Sequence, residues 1–295
     1  PDVFLVDYIP VGRCGELQSV LAFLKERHPT IKIVLGLRDI LDKPEALRAS
    51  WEREGVYNKL ERYYDLVLIY GDRTVFDAAE QYGLNSLKGP TVEYCGYVGP
   101  HNLEEQTNGR AEEQGINGRK RLLIVGGGGS VAFETMNRCL EAVALLCRDY
   151  RMECTLITGP LMNCGERRSL EERAANIPAA VISYVDNPLE YIRTADLVIG
   201  MAGYNTIVEA VALRKRMLAI PLSGPRAEQS LRASIFAERG YINARPLEGS
   251  TPESLSETIR DCLEAPGQPQ ARLDVNGLAT AVAELRKLAE LRAHG

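Results

Sequence analysis

Short runs of aliphatic residues recur along this chain, and each is followed by a stretch with helical spacing. Val3–Asp7, Lys32–Leu37, Leu66–Tyr70, Thr91–Tyr94, Arg121–Val125, Cys154–Thr158, Ala180–Val185, Leu197–Met201 and Arg216–Leu222 read as strands. Glu16–His28, Ala132–Asp149, Thr206–Leu213 and Glu228–Arg239 read as helices between them. Continuously apolar strands separated by helices cannot form hairpins. They must line up in parallel, with both sheet faces covered. The expectation is an α/β protein with two Rossmann-like parallel-sheet domains.

The alternation breaks once, at residues 97–119, "YVGPHNLEEQTNGRAEEQGINGR", where the composition turns polar and rich in Gly, Asn and Glu. This sets the expected boundaries: a first domain at 1–96, a linker at 97–119, a second domain at 120–275 and a last helix within 276–295. That helix, Leu278–Arg292, carries Leu278, Val282, Leu285, Leu288 and Leu291 at helical spacing, as expected if it packs back across the first domain. The opening "PDVFLVD" is a strand pattern from the first residue, so the N-terminal domain is expected to be incomplete.

Bulk properties exclude several classes. A net charge of −5 argues against a nucleic-acid surface, which needs clustered Lys and Arg. The seven cysteines are scattered with no C-x-x-C pair, so neither a zinc site nor a disulfide framework is expected, and a reducing cytoplasm fits. No apolar run reaches the length of a membrane span.

Four expected strand ends carry turn-forming or polar residues, and parallel strands place them on one sheet edge, where open α/β folds bind ligands. "RLLIV" runs into "GGGGSVAFE" and a helix. Gly127, Gly128, Gly129 and Ser130 thus precede a helix N-terminus, a phosphate-site arrangement; a tight βα turn also uses glycine. Gly127-x-Gly129-x-x-Ala132 fits a dinucleotide fingerprint, but the next strand ends "LITGP" without the ribose-binding acid, and no GKS or GKT of a P-loop is present. After the strand ending at Val185, Asp186-Asn187-Pro188 reads as a helix start with Pro in the first turn. In "GMAGYNTIVEA", Ala202, Gly203, Asn205 and Thr206 open a helix that carries Glu209. Thr206-x-x-Glu209 is either a capping box or a helix-opened anion site with an acid beside it. Past Pro221, Glu228 and Gln229 start another helix.

The second domain resembles the C-terminal half of a GT-B glycosyltransferase, most closely family 28. The resemblance rests on "GGGGS", "YVDNPLEYIRTADLVIG", "AGYNTIVEAVALRKRMLAIPL" and "EQSLRASIFAERG" in that order along about 150 residues. The first domain, from "PDVFLVDYIPVGRCGEL" through "KIVLGLRDI", is similar to a group of bacterial glycosyltransferases of unassigned substrate. The resemblance implies transfer of a hexose from a nucleoside diphosphate sugar, UDP-linked by expectation, to an acceptor hydroxyl with inversion. The acceptor is expected to be a glycolipid or a small molecule, and the protein to be cytoplasmic or peripheral at the inner membrane face. Gly127–Ser130 and Ala202–Thr206 would lie against the diphosphate, the Val185 backbone against the base, Glu209 on the ribose, and Glu228 and Gln229 on the sugar. On the acceptor side the chain offers Gly12, Arg13 and Gly15.

No D-x-D pair occurs, so a metal clamp is not expected to be required; no cofactor is expected. The family's general base belongs to a strand expected upstream of Pro1; Asp7 is the remaining carboxylate near a strand end. Two rival readings are a nucleotide-sugar 2-epimerase of similar fold and a nucleotide-sugar-binding module without catalysis. The epimerase would need a His near the cleft, and His28, His101 and His294 lie at no expected strand end.

Overall fold

The computed structural model describes residues 1–100, 118–222, 224, 227–266 and 272–290. The chain divides into two compact units: Pro1–His101 with Asp274–Gly295, and Asn102–Leu273. Most of the stretch read as a linker, residues 101–117, lies outside the described residues, as does Leu291.

The first unit is a parallel sheet in sequential order: β1 (Val3–Asp7), β2 (Lys32–Arg38), β3 (Leu66–Tyr70) and β4 (Thr91–Tyr94). Helices α1 (Gln18–Arg27), α2 (Pro44–Arg53), α3 (Val56–Tyr63) and the short α4 (Ala78–Gln81) fill the connections. Strand side chains alternate between faces. Ile33, Leu35, Leu37, Val67 and Ile69 therefore meet Leu21, Trp51, Leu60 and Tyr82 on one side. Val34, Leu66 and Leu68 face the other side, where the C-terminal helix covers them with Ala281, Leu285 and Leu288.

The second unit is a six-stranded parallel sheet. Its elements are β5 (Lys120–Val125), α5 (Phe133–Leu146), β6 (Met152–Ile157), α6 (Cys164–Ala174), β7 (Ala179–Ile182), α7 (Pro188–Thr194), β8 (Leu197–Gly200), α8 (Tyr204–Ala212), β9 (Met217–Ala219), α9 (Glu228–Glu238), β10 (Asn243–Ala244) and α10 (Pro252–Glu264). The C-terminal helix, α11 (Gly277–Glu290), belongs to the first unit. Leu122, Ile124, Cys154, Leu156, Leu197 and Ile199 pack under α5 and α10 against Met136, Leu140, Val143, Leu255 and Ile259. Each such aliphatic side chain, fully buried, contributes about 1.5–3 kcal/mol, and Ile199→Ala would cost about 2–5 kcal/mol because the cavity cannot close. Both sheet faces are covered, which is why these strands read as unbroken apolar runs.

Two local expectations are corrected. The strand expected at Ala180–Val185 stops at Ile182, leaving Tyr184 and Val185 in the following loop. In α11, Leu278 and Val282 are exposed, because Ala281, Leu285 and Leu288 form the stripe that packs on the sheet.

Candidate functional site

The second sheet runs β10-β9-β8-β5-β6-β7. From β5 the chain moves outward through β6 and β7, then returns to β8 on the other side of β5 and moves outward through β9 and β10. Adjacent strands β5 and β8 therefore send their following connections in opposite directions. A crevice opens at such a point beyond the strand C-termini. Val125 pairs with Gly200 in register, so the glycine run after β5 and the turn after β8 start side by side.

The glycine run serves two purposes. A Cβ on Gly126 or Gly129 would sit 2.6 or 2.5 Å from the Thr158 carbonyl oxygen of the loop after β6. Gly159 in that loop packs against the Gly127 and Gly128 backbones in turn, and Leu161 N–H donates to the Gly128 carbonyl at 2.9 Å. These glycines are required by loop-on-loop packing, a demand the sequence reading did not foresee. Gly127 and Gly128 differ: nothing stands within 4 Å of a Cβ at 127, and at 128 only Leu161 Cδ1 does, at 3.8 Å. The N–H groups of Gly127, Gly128 and Ser130 have no partner among the described residues, and α5 begins without a side-chain cap. Four glycines thus yield two that fit the fold and two that leave an open bed of donors.

Beyond β8 the chain turns at Ala202, which is fully buried with φ +62°. That left-handed conformation costs an alanine roughly 1–2 kcal/mol. Gly203 then caps α8 through its backbone, its carbonyl accepting from Ile207 N–H at 3.1 Å, with no side-chain cap. The helix begins at Tyr204, earlier than the expected Thr206. Thr206 is therefore inside the first turn and Glu209 in the second, so the capping-box reading is corrected: Glu209 is too far along the helix to reach the cap. The N–H groups of Asn205 and Thr206 have no partner among the described residues.

Asn205 and Glu209 are four residues apart and share a helix face. The Glu209 side chain is half-buried and meets no hydrogen-bonding or ionic partner among the described residues. Burial pushes its carboxyl up to about 7 from an ordinary 4.5.

The loop after β7 holds Val185, half-buried, beside Tyr184, which is 60% exposed. Asn187 caps α7, its Oδ1 accepting from Leu189 N–H at 3.2 Å, with Pro188 in the first turn. On α9, Glu228 Oε1 accepts from Arg232 Nη1 at 3.0 Å. Gln229 Oε1 accepts from Leu222 N–H at 3.1 Å, holding the strand-end loop to the helix.

In the first unit, Gly12 and Gly15 both take positive φ, +79° and +77°. The loop folds onto itself: Glu16 accepts from Arg13 N–H at 3.2 Å and Cys14 N–H at 2.8 Å. Its own N–H and these donors lower the Glu16 carboxyl below the usual range. The Arg13 and Cys14 backbone donors are thereby occupied within the loop. Asp7 is exposed at the end of β1. His28 follows the C-terminus of α1, at the end of the sheet opposite the strand C-termini; His101 and His294 lie outside the described residues.

Parallel sheets of this construction, with an open donor bed at the switch point, define an α/β protein of the GT-B type. The chain belongs to the glycosyltransferase family 28 C-terminal domain family, whose profile matches residues 121–290. It is similar to the UDP-N-acetylglucosamine–N-acetylmuramyl-(pentapeptide) pyrophosphoryl-undecaprenol N-acetylglucosamine transferase of Geobacillus kaustophilus, with 29% identity over 66% of this chain and 56% of that enzyme. The chain spans about half the length, or less, of the curated relatives it matches. Among solved structures, MurG of Acinetobacter baumannii superposes with a TM-score of 0.54 at 13% identity, over 96% of this chain and 99% of that one. A Listeria monocytogenes protein described as a UDP-N-acetylglucosamine 2-epimerase gives 0.60 at 14% identity, over 98% and 74%. At such identities these two likenesses concern the fold.

Proposed function

We propose that this chain binds a nucleoside diphosphate sugar, UDP-linked, at the β5–β8 crevice, and serves transfer of its hexose to an acceptor hydroxyl with inversion. The observation that carries the reading is Glu209, a half-buried carboxyl without a described partner, on a helix whose N-terminus is uncapped and whose strand lies in register with the glycine run. A desolvated carboxyl with a raised pKa in a crevice marks a candidate ligand site. Ribose hydroxyls are such donors.

The diphosphate would lie against Gly127–Ser130 and Ala202–Thr206. Fixed N–H groups and the α5 and α8 dipoles meet the charge that builds on the leaving diphosphate, and they do so most strongly in the transition state. The Val185 backbone faces the base, and the exposed Tyr184 ring beside it offers a stacking surface. Glu228 and Gln229 approach the transferred sugar. The Geobacillus relative is named for a lipid-linked acceptor; a glycolipid or small-molecule acceptor, met by a peripheral protein at the inner membrane face, is the corresponding reading here. No helix among the described residues is long and apolar enough to cross a membrane.

The 2-epimerase reading shares this fold, but the one histidine among the described residues, His28, lies away from the strand C-termini. The test is titration calorimetry with UDP, GDP and TDP, followed by a donor screen that reads release of the nucleoside diphosphate. Saturable binding with UDP preferred supports the reading; no binding of any of the three overturns it.

A further inference from the structure

Arg232 is fully buried, the largest side chain of the chain to be so among the described residues. A guanidinium in that position is costly unless each of its partners is well placed, and an aliphatic side chain of similar volume would fill the space more cheaply. What it touches accounts for its presence. Its Nη1 donates to the Ala202 carbonyl at 3.2 Å and to Glu228 Oε1 at 3.0 Å. Its guanidinium carbon lies 5.9 Å from the centre of the Tyr204 ring. Ala202 and Tyr204 flank Gly203, and all three form the turn that opens α8. Ala202 is the strained member of that turn, with φ +62°. One side chain from α9 therefore holds the carbonyl of the residue least content with its backbone, braces the first residue of α8, and fixes a carboxylate oxygen of Glu228.

We propose that Arg232 is the positioning residue of the nucleotide turn. It stabilises Ala202 in its left-handed conformation, so that the N–H groups of α8 stay aimed at the crevice, and its charge adds to the positive pole of that helix. Glu228 is the counter-ion that makes the buried charge tolerable and is itself oriented by it. The inference rests on the reading of the Ala202–Thr206 turn as a nucleoside diphosphate site. It goes beyond that reading in placing the control of the turn on a residue of another helix that is too buried to reach a ligand.

The test is a double-mutant cycle between positions 232 and 202, read by UDP calorimetry and thermal melting. Arg232→Lys keeps a buried cation but loses the planar fork, and is expected to weaken UDP by about tenfold while remaining folded. Arg232→Met removes the charge and is expected to weaken UDP further. If it fails to fold, Arg232→Lys carries the comparison alone. Ala202→Gly removes the backbone strain, because glycine takes positive φ freely. In the Ala202→Gly background the loss caused by Arg232→Lys should shrink by about threefold or more, since the turn no longer needs to be held. A residue that only filled the core would lose stability in both backgrounds alike, with no recovery of UDP affinity. Wild-type protein that binds UDP together with an Arg232→Lys variant that binds equally well overturns the proposal and leaves the nucleotide site standing. So does an equal loss in both backgrounds. Wild-type protein that binds none of UDP, GDP and TDP overturns the functional reading, and the proposal falls with it.

Discussion

Replacing Glu209 by glutamine separates the two roles a carboxyl on α8 can have. Burial raises this group from 4.5 to about 7. Its folded-state value lies above its unfolded one, so the folded protein holds the proton more tightly. The associated stability is fully present below about pH 4.5 and is lost as the pH rises through 7. The whole shift corresponds to about 3 kcal/mol at about 1.4 kcal/mol per unit; partial solvent access reduces that to about 1–2 kcal/mol. The amide of Glu209→Gln carries no charge to desolvate. The variant should therefore melt close to wild type at pH 5 and about 2–5 °C higher at pH 8 in the absence of ligand. Its UDP affinity should move the other way. A charge-assisted bond to a ribose hydroxyl contributes about 1.5–3 kcal/mol, so the dissociation constant should rise by about 10- to 100-fold at pH 8. The gap between the two proteins should narrow below pH 7, and comparing the proteins at each pH cancels the titration of the phosphate itself. Differential scanning calorimetry and titration calorimetry at pH 5, 6, 7 and 8 make the measurement. A variant that melts lower than wild type at pH 8, or that binds UDP as wild type does, refutes the argument.

Other substitutions probe the neighbouring loops. Gly128→Ala has room in the fold, with only Leu161 Cδ1 at 3.8 Å; it should leave melting within about 0.5 kcal/mol of wild type and weaken UDP by about tenfold or more, because its methyl enters the donor bed. Gly129→Ala would bring a Cβ to 2.5 Å from the Thr158 oxygen at φ +95° and should cost about 2 kcal/mol or more of stability, seen as a lowered denaturant midpoint. UDP affinity should be unchanged by EDTA, as the lack of a D-x-D pair implies; calorimetry with and without chelator checks this. Limited proteolysis followed by mass mapping should cut first within 97–119, beyond the buried Tyr97, because the rest of that stretch is polar.

The strands were legible because both faces of each sheet are covered: "IVLGL" at the centre of β2 and "LVIG" in β8 are apolar throughout for that reason. Their ends were less so. Tyr184 and Val185 have strand-forming side chains, and only the lack of a neighbouring strand to pair with releases them into the loop. At α8 the Thr206-x-x-Glu209 spacing pointed to a helix start, while the actual start uses a backbone cap at Gly203 that leaves no side-chain signature. Glu209 was found as an acid on the right helix, but its desolvation depends on what packs around it. Arg232 lies within the quoted "EQSLRASIFAERG" without any signal of its burial, which shows only in the structure. Glu16 falls just past the Gly12–Gly15 loop, where nothing in the sequence tells whether its carboxyl turns back or faces water.

The interlock between Gly129 and Gly159 bears on how this protein can be re-engineered. Each loop is moulded on the backbone of the other: Gly129 leaves room for Thr158, and Gly159 leaves room for Gly127 and Gly128. A glycine run transplanted from a relative would meet a β6 loop shaped for a different partner, and would lose fit. Libraries aimed at these turns should treat residues 126–130 and 158–162 as a single cassette, exchanged together or left alone. Within that cassette the diversity belongs at Ser130 and Leu161, both exposed, and not at the glycines that hold the two turns together.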